Sequence, residues 1–195
     1  MNLTGGARDA DVASVLLTTM RTRRVCRKFT DGAVPRADLR RIIEAGRLAS
    51  SAGNTRIHRF LVVTDVARIA LVRSVAPGMQ ATPTALIVIC TDLEAAAQSQ
   101  VQVGKDTTVW IDVGTAAMTM MLMAHALGLG SSPATSFSRV GLRTVLELPE
   151  IAVPEFILQV GWRGLEPKAV PQIRSGRLTA DDITYWEHYG SRGGP

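Results

Sequence analysis

Two short stretches hold the residue types best suited to chemistry. The first, Arg21-Thr22-Arg23-Arg24-Val25-Cys26-Arg27-Lys28-Phe29, sets guanidinium groups around one short loop. Such groups grip a phosphate bidentately. The second, Ala49-Ser50-Ser51-Ala52-Gly53-Asn54-Thr55, offers backbone and side-chain amide groups suited to a polar ring edge. Asn54 carries both a donor and an acceptor, and Gly53 permits close backbone approach. The two stretches read as the two ends of one cofactor site. A third, Gly130-Ser131-Ser132-Pro133-Ala134-Thr135-Ser136-Phe137, is built of small residues that let backbone N–H groups point outward. On residues alone it also reads as a helix C-cap followed by a loop.

Each stretch has a plainer reading. A basic run is often solvated surface, and Gly-Asn is ordinary turn chemistry. In the first run Val25, Cys26 and Phe29 interrupt the charges, which suits a loop anchored in a core. Nucleic-acid recognition calls for aromatic platforms or a reading helix, and aromatics are only 5% of the chain, which argues against it. His125 lies on an apolar helix and reads as a satisfied core or interface residue, His58 flanks the Asn54 loop within reach of a substrate, and His188 is in the tail. There is no Ser-His-Asp constellation, His-Glu zinc pattern, Walker loop or G-x-G-x-x-G, and no metal site is expected.

The elements that must position these residues are visible as periodicity. Asp11 to Met20 reads as a helix with Val12, Val15, Leu16 and Thr19 on one face, after a flexible segment 1–10. Leu39, Ile42, Ile43 and Leu48 make a second helical stripe, starting at Pro35. Phe60 to Thr64, Leu86 to Thr91 and Phe156 to Val160 are short apolar runs of buried-strand type. Asp65 to Val75 and Gly141 to Leu146 read as helices, and Ala95 to Lys105 as helix then loop. Trp110 to Leu127 is apolar almost all round, so it should be buried on every side. A chain of 195 residues has few layers to surround it, and a second subunit is a natural source of cover. The alternative is an ordinary core helix within a monomer.

Composition sets the frame. With 46% hydrophobic residues the chain can bury a core as one domain over 11–195, with an extended C-terminal tail. Its 22 basic and 17 acidic residues leave +5, enough for an anionic ligand. Cys26 and Cys90 fit no metal spacing and read as reduced thiols of a cytoplasmic protein. The N-terminal stretch lacks an apolar h-region, and Val113 to Leu129 falls short of a bilayer span, so neither a signal peptide nor a membrane segment is expected.

The chain resembles the FMN-dependent nitroreductases. The arginine run is similar to their Arg-Arg-Ser-x-Arg-x-Phe opening, and the second stretch to their Ala-Pro-Ser-Ala-Gly-Asn-x-Gln loop. Ala81 to Ala85, Gly128-Leu129-Gly130 and Trp186 to Gly190 follow in the family's order. The resemblance implies an α+β fold with a central mixed β-sheet flanked by helices, and a homodimer with the long helix at its interface and FMN bound there. It implies two-electron ping-pong transfer from NAD(P)H to an organic acceptor such as a nitroaromatic or quinone. By the same resemblance Arg23 and Arg24 contact the phosphate or the pyrimidine side of the flavin, Arg27 supports the loop, and Asn54 meets the ring. Pro133 and Ala134 line the cofactor, the amides of Thr135 and Ser136 face flavin N5 or O4, and Arg174 and Arg177 close on the phosphate.

The chain also departs from that pattern. Val25 stands where the family has serine, and Arg56, Ile57 and His58 stand where it has Gln, Pro and Trp, which makes Arg56 and His58 substrate-side candidates. Ala76-Pro77-Gly78, Thr82-Pro83 and the Ser132 to Phe137 stretch are also similar to cyclodipeptide oxidases, a branch that returns electrons to oxygen and works with a small partner subunit. A third reading is a flavin-sequestering protein in which Arg56 and His58 block the ring.

Overall fold

The computed structural model describes residues 6–165 and 178–191. They fall into two units, 6–165 and 178–191, and the site is built on the first. Helix α1 spans Gly6–Thr22 and α2 spans Arg36–Arg47. Strand β1 is His58–Val63, α3 is Val66–Ser74, β2 is Ala85–Asp92 and α4 is Leu93–Gln98. The long helix α5 runs Thr108–Ala126, followed by β3 (Leu129–Ala134), α6 (Arg139–Val145) and β4 (Ala152–Trp162). In the second unit α7, Ala180–Ile183, starts with a capping box between Thr179 and Asp182.

The four strands lie in the order β1-β2-β4-β3, and every pair is antiparallel. The sheet is therefore not mixed as expected. Parallel pairing among the described residues is confined to an isolated bridge between Val25 and Ser131. Alternation along the strands splits the core between two faces. Ile87, Ile89, Leu158 and Val160 face α2 and α5, meeting Leu39, Ile42, Val113, Ala116 and Met120. Leu86, Val88, Cys90 and Ile157 face α3 and α6, meeting Ile69, Val72 and Leu142. Strand β2 is buried along nearly its whole length because it is central in the sheet and covered on both faces.

Several local expectations change. The first helix starts at Gly6, five residues before Asp11, so residues 6–10 are helical. Its apolar stripe is not covered: Val12, Val15, Leu16 and Met20 are 45–63% exposed. Pro35 is the N-cap of α2, one position before its first turn, and Leu48 lies beyond that helix on the surface. Helix α5 buries Val113, Ala116, Ala117 and Met120 against the sheet but leaves Trp110, Ile111 and Met118 exposed, so it is buried on one side only. By length and composition it could cross a membrane, and in this fold it serves as a core helix. The stretch Gly130–Ala134, expected as loop, is the edge strand β3. Small residues can be sheet when a neighbouring strand supplies the pairing, and Pro133 is tolerated because one side of β3 is an edge. Gly128, at φ 78°, makes the turn between α5 and β3.

Candidate functional site

The arginine loop leaves α1 directly. Arg23 N–H still donates to the Thr19 carbonyl (3.0 Å) as in a helix, and three residues later Cys26 N–H donates to the Ser131 carbonyl of β3 (2.9 Å). Phe29 then bridges Arg163, and the Gly164 N–H donates to the Lys28 carbonyl (2.9 Å). The loop lies against sheet made bare by glycine. Gly130 and Gly161 are cross-strand partners. A Cβ on Gly130 would stand 2.6 Å from Cys26 Sγ, and one on Gly161 would stand 2.8 Å from the Phe29 ring. The expectation of a loop anchored by Val25, Cys26 and Phe29 therefore holds.

The loop's cations are not equivalent. Arg24 donates through Nη1 to the carbonyls of Arg21 (2.6 Å) and Arg23 (2.8 Å), spending that nitrogen on the loop itself. Arg23 Nε and Nη1 are buried without a hydrogen-bond partner. A buried guanidinium with unmet donors is costly unless an anion meets it, so this donor set fits a phosphate. Arg27, also on this loop, has a partner of its own. Val25, in the serine's position, contributes backbone pairing to Ser131 and no hydroxyl. Arg174 and Arg177 lie outside the described residues.

Sequence reasoning missed Arg163. It sits one residue past β4, and its Nη2 lies 2.9 Å from His125 Nδ1, while His125 Nε2 lies 2.9 Å from Thr22 Oγ1. Burial, then the charges of Arg163, Arg23 and Arg24, hold the His125 pKa below its ordinary value, which places all three cations around this imidazole. The sequence offered only a lone Arg163 between Trp162 and Gly164 at the end of a strand, which does not reveal that the fold returns to α1.

The Asn54 loop is strained and well held. Gly53, Asn54 and Arg56 all have positive φ, at 60°, 54° and 50°. That is easy for Gly, tolerable for Asn and uncommon for Arg. The Ala52 N–H donates to both oxygens of the buried Asp112 carboxylate (3.1 and 3.2 Å), and Thr115 Oγ1 donates to the Ser50 carbonyl (3.0 Å), tying the loop to the first turns of α5. Arg56 Nε donates to Asn54 Oδ1 (3.1 Å). His58, Arg56, Asp112, Ser50 and Ser51 line a cavity of about 80 Å³. His58 Nδ1 is 3.4 Å from Thr91 Oγ1, and its Nε2 is buried without a partner. Burial pushes the His58 pKa down, with Asp112 opposing.

These anchors separate the two loops. The Asn54 loop is held at Asp112, near the start of α5, and the arginine loop at His125, near its end, about 20 Å apart along the axis. They also adjoin opposite edges of the sheet, β1 and β3, about 14 Å apart. Within one chain they are not two ends of a single mononucleotide site. The β3 stretch does join the arginine loop: Ser131 pairs with Val25, and Pro133, Ala134, Thr135 and Ser136 continue along the same edge. Thr135 and Ser136 are exposed past the strand, and the Ser136 carbonyl accepts from Gly78 N–H (2.9 Å). Cys26 Sγ donates to the Lys28 carbonyl, and burial, aided by Glu155, pushes the Cys90 thiol up to about 12. No metal-binding group of His, Cys, Asp or Glu occurs among the described residues.

The model of the nitroreductase family matches residues 20–162, from the end of α1 to the last residue of β4. This chain belongs to the nitroreductase family. It is similar to a Methanothermobacter thermautotrophicus protein that carries the name NADH dehydrogenase/NAD(P)H nitroreductase, with 29% identity over 161 residues covering 78% of this chain and 79% of that one. Its fold is similar to a nitroreductase family protein of Clostridium difficile 630, at TM-score 0.72 and 23% identity over 87% of this chain and 96% of the other. It is also similar to NfrA1 of B. megaterium, at TM-score 0.73 and 22% identity over 90% and 75%.

Proposed function

We propose that this chain is an FMN-dependent oxidoreductase that passes two electrons from NAD(P)H to a small organic acceptor such as a nitroaromatic or quinone. The observation that carries the reading is Arg23, whose Nε and Nη1 are buried without a partner beside Arg24, at the start of a loop pinned to β3. A terminal phosphate monoester fits those donors. Bound FMN would supply the hydride-accepting and hydride-donating centre.

The chain's own residues bind, orient and tune. Arg23 and Arg24 meet the phosphate, with Arg27 as a further cation of the same loop. The backbone of Val25 sets the loop against Ser131. Pro133 and Ala134 continue that edge beneath the cofactor, and the amides of Thr135 and Ser136 stabilise charge that develops on the reduced ring. The Asn54 loop stands too far away in its own chain. A homodimer packed through the exposed faces of α1 and α5, with the two α5 helices antiparallel, brings the partner subunit's Asn54 to the arginine loop. Arg56 and His58, on the flank of that loop, then face the substrate.

The test is direct. Purified protein should be yellow and release FMN on denaturation. Stopped-flow reduction by NADH or NADPH should precede rapid reoxidation by a quinone or nitroaromatic. Reduction by a diketopiperazine and not by nicotinamides would move the chain to the cyclodipeptide-oxidase reading. A bound flavin that neither donor reduces would mean sequestration.

A further inference from the structure

Arg163 and His125 form the last links of a hydrogen-bond chain with one polarity. Arg163 Nη2 can only donate, so His125 Nδ1 must accept it (2.9 Å), and the imidazole proton resides on Nε2. Nε2–H then donates to Thr22 Oγ1 (2.9 Å), whose hydroxyl donates to the Thr18 carbonyl (2.7 Å). Every link is satisfied only when His125 is neutral. The low His125 pKa agrees with that: burial lowers it first, and the charges of Arg163, Arg23 and Arg24 lower it further.

Such a crowd of cations needs an explanation. Among the described residues no carboxylate lies within ion-pair distance of Arg23, Arg24 or Arg163, although five other arginines have one. The stem of Arg163 crosses β3 where Gly130 has no side chain: a Cβ there would stand 3.1 Å from Arg163 Cγ. Its backbone is bridged to Phe29, at the far end of the arginine loop. Arg163 is thus fixed to the loop from one side and to α5 from the other, and Arg23, whose guanidinium has two buried, unmet donors, acts on the same imidazole. Arg24 and Arg163 are exposed and Arg23 is half-buried, so an anion from solvent can reach this cluster and offset its mutual repulsion.

We propose that Arg163 is a further phosphate-binding cation of this site and that His125 is the positioning residue that aims it. The inference rests on the cofactor reading above. It accounts for a chain that has Val25 in place of a phosphate-binding hydroxyl: the missing donor is supplied from the end of β4, through a neutral imidazole.

The experiment compares FMN with riboflavin, which lacks only the phosphate, by flavin-fluorescence titration of the full-length protein. Wild type should prefer FMN by ~100-fold or more. Arg163→Gln should lose ~10-fold or more in FMN affinity while riboflavin stays within ~2-fold of wild type. His125→Leu should lose ~5-fold for FMN alone, and His125→Asn, whose amide oxygen falls at the Nδ1 position, should return to within ~2-fold of wild type. The ¹⁵N spectrum of His125 should show the Nε2–H tautomer. Equal losses for both flavins in Arg163→Gln would make Arg163 structural and overturn the proposal. Wild-type FMN affinity in Arg163→Gln, with loss in Arg23→Gln, would overturn it and leave the cofactor reading intact. A His125→Leu protein that binds like wild type would remove the positioning role. No preference for FMN in the wild type would overturn the cofactor reading and this inference with it.

Discussion

Gly130→Ala is the sharpest probe of how the arginine loop is held. The new methyl group would stand 2.7 Å from Cys26 Cβ and 2.6 Å from its Sγ, where ordinary contact begins near 3.4 Å. Strand β3 is paired along its length to β4, so the loop must yield, by about 0.7 Å. That would stretch the Cys26 N–H to Ser131 bond from 2.9 Å to roughly 3.6 Å, beyond hydrogen-bond range. Overpacking of this kind costs ~1–3 kcal/mol, which lowers the melting temperature by roughly 2–4 °C per kcal/mol in a chain of this size. Because Arg23 and Arg24 ride on the same loop, FMN affinity should fall by ~10-fold or more. Calorimetry and flavin titration measure the two effects. Adding Cys26→Ala should relieve the Sγ contact only, whereas Cys26→Gly should restore FMN binding at ~0.5–1 kcal/mol of chain entropy. A Gly130→Ala protein with wild-type melting and wild-type FMN affinity would refute the docking of this loop on β3.

Three further outcomes are expected. Arg23→Ala should weaken FMN binding more than Arg24→Ala, by ~1.5–3 kcal/mol against a smaller loss, because Arg24 already spends Nη1 on its own loop; the reverse order in titration would sink the assignment. If the proposed dimer packs through the uncovered face of α1, the wild type should sediment as a dimer at micromolar concentration and Leu16→Glu should shift it toward monomer; a monomeric wild type that retains FMN would count against the interface. Burial holds His58 below the ordinary imidazole value of 6.5, so in mild acid the unfolded chain binds more protons than the folded one. Stability should therefore fall as pH drops below about 6.5, and His58→Gln should flatten that slope in urea titrations from pH ~7.5 to ~5.

Much of this architecture was legible because it rests on local signals. The strands at Phe60, Leu86 and Phe156 announce themselves by apolar β-branched runs. Asp65 caps α3 through a bond to the Arg68 N–H (2.7 Å), as its position before an apolar stretch suggests. Strand β3 did not announce itself, because Gly-Ser-Ser-Pro-Ala has no strand propensity and is sheet only through its pairing with β4. The antiparallel order was also hidden, since strand direction depends on long-range closure. At the site, the arginine and Asn54 loops stand out by composition. Their separation along α5 does not, because two contacts fix it, Asp112 to Ala52 and His125 to Thr22, across 60 and 103 residues of sequence. Arg163 was invisible for the same reason.

Helix α1 runs into the arginine loop with no linker, since Arg23 still closes a helical bond to Thr19. Whatever body covers the Val12 to Met20 face therefore also restrains Arg23, the first residue of the proposed phosphate site. Association and ligand retention become two readings of one coupling free energy, and thermodynamic reciprocity makes the effect equal in both directions. The factor by which a covered α1 tightens the anion site is the factor by which a filled anion site tightens the cover. In the proposed FMN-bound dimer, dilution would strip the cofactor and loss of the cofactor would promote dissociation, so each process would have to be followed together with the other.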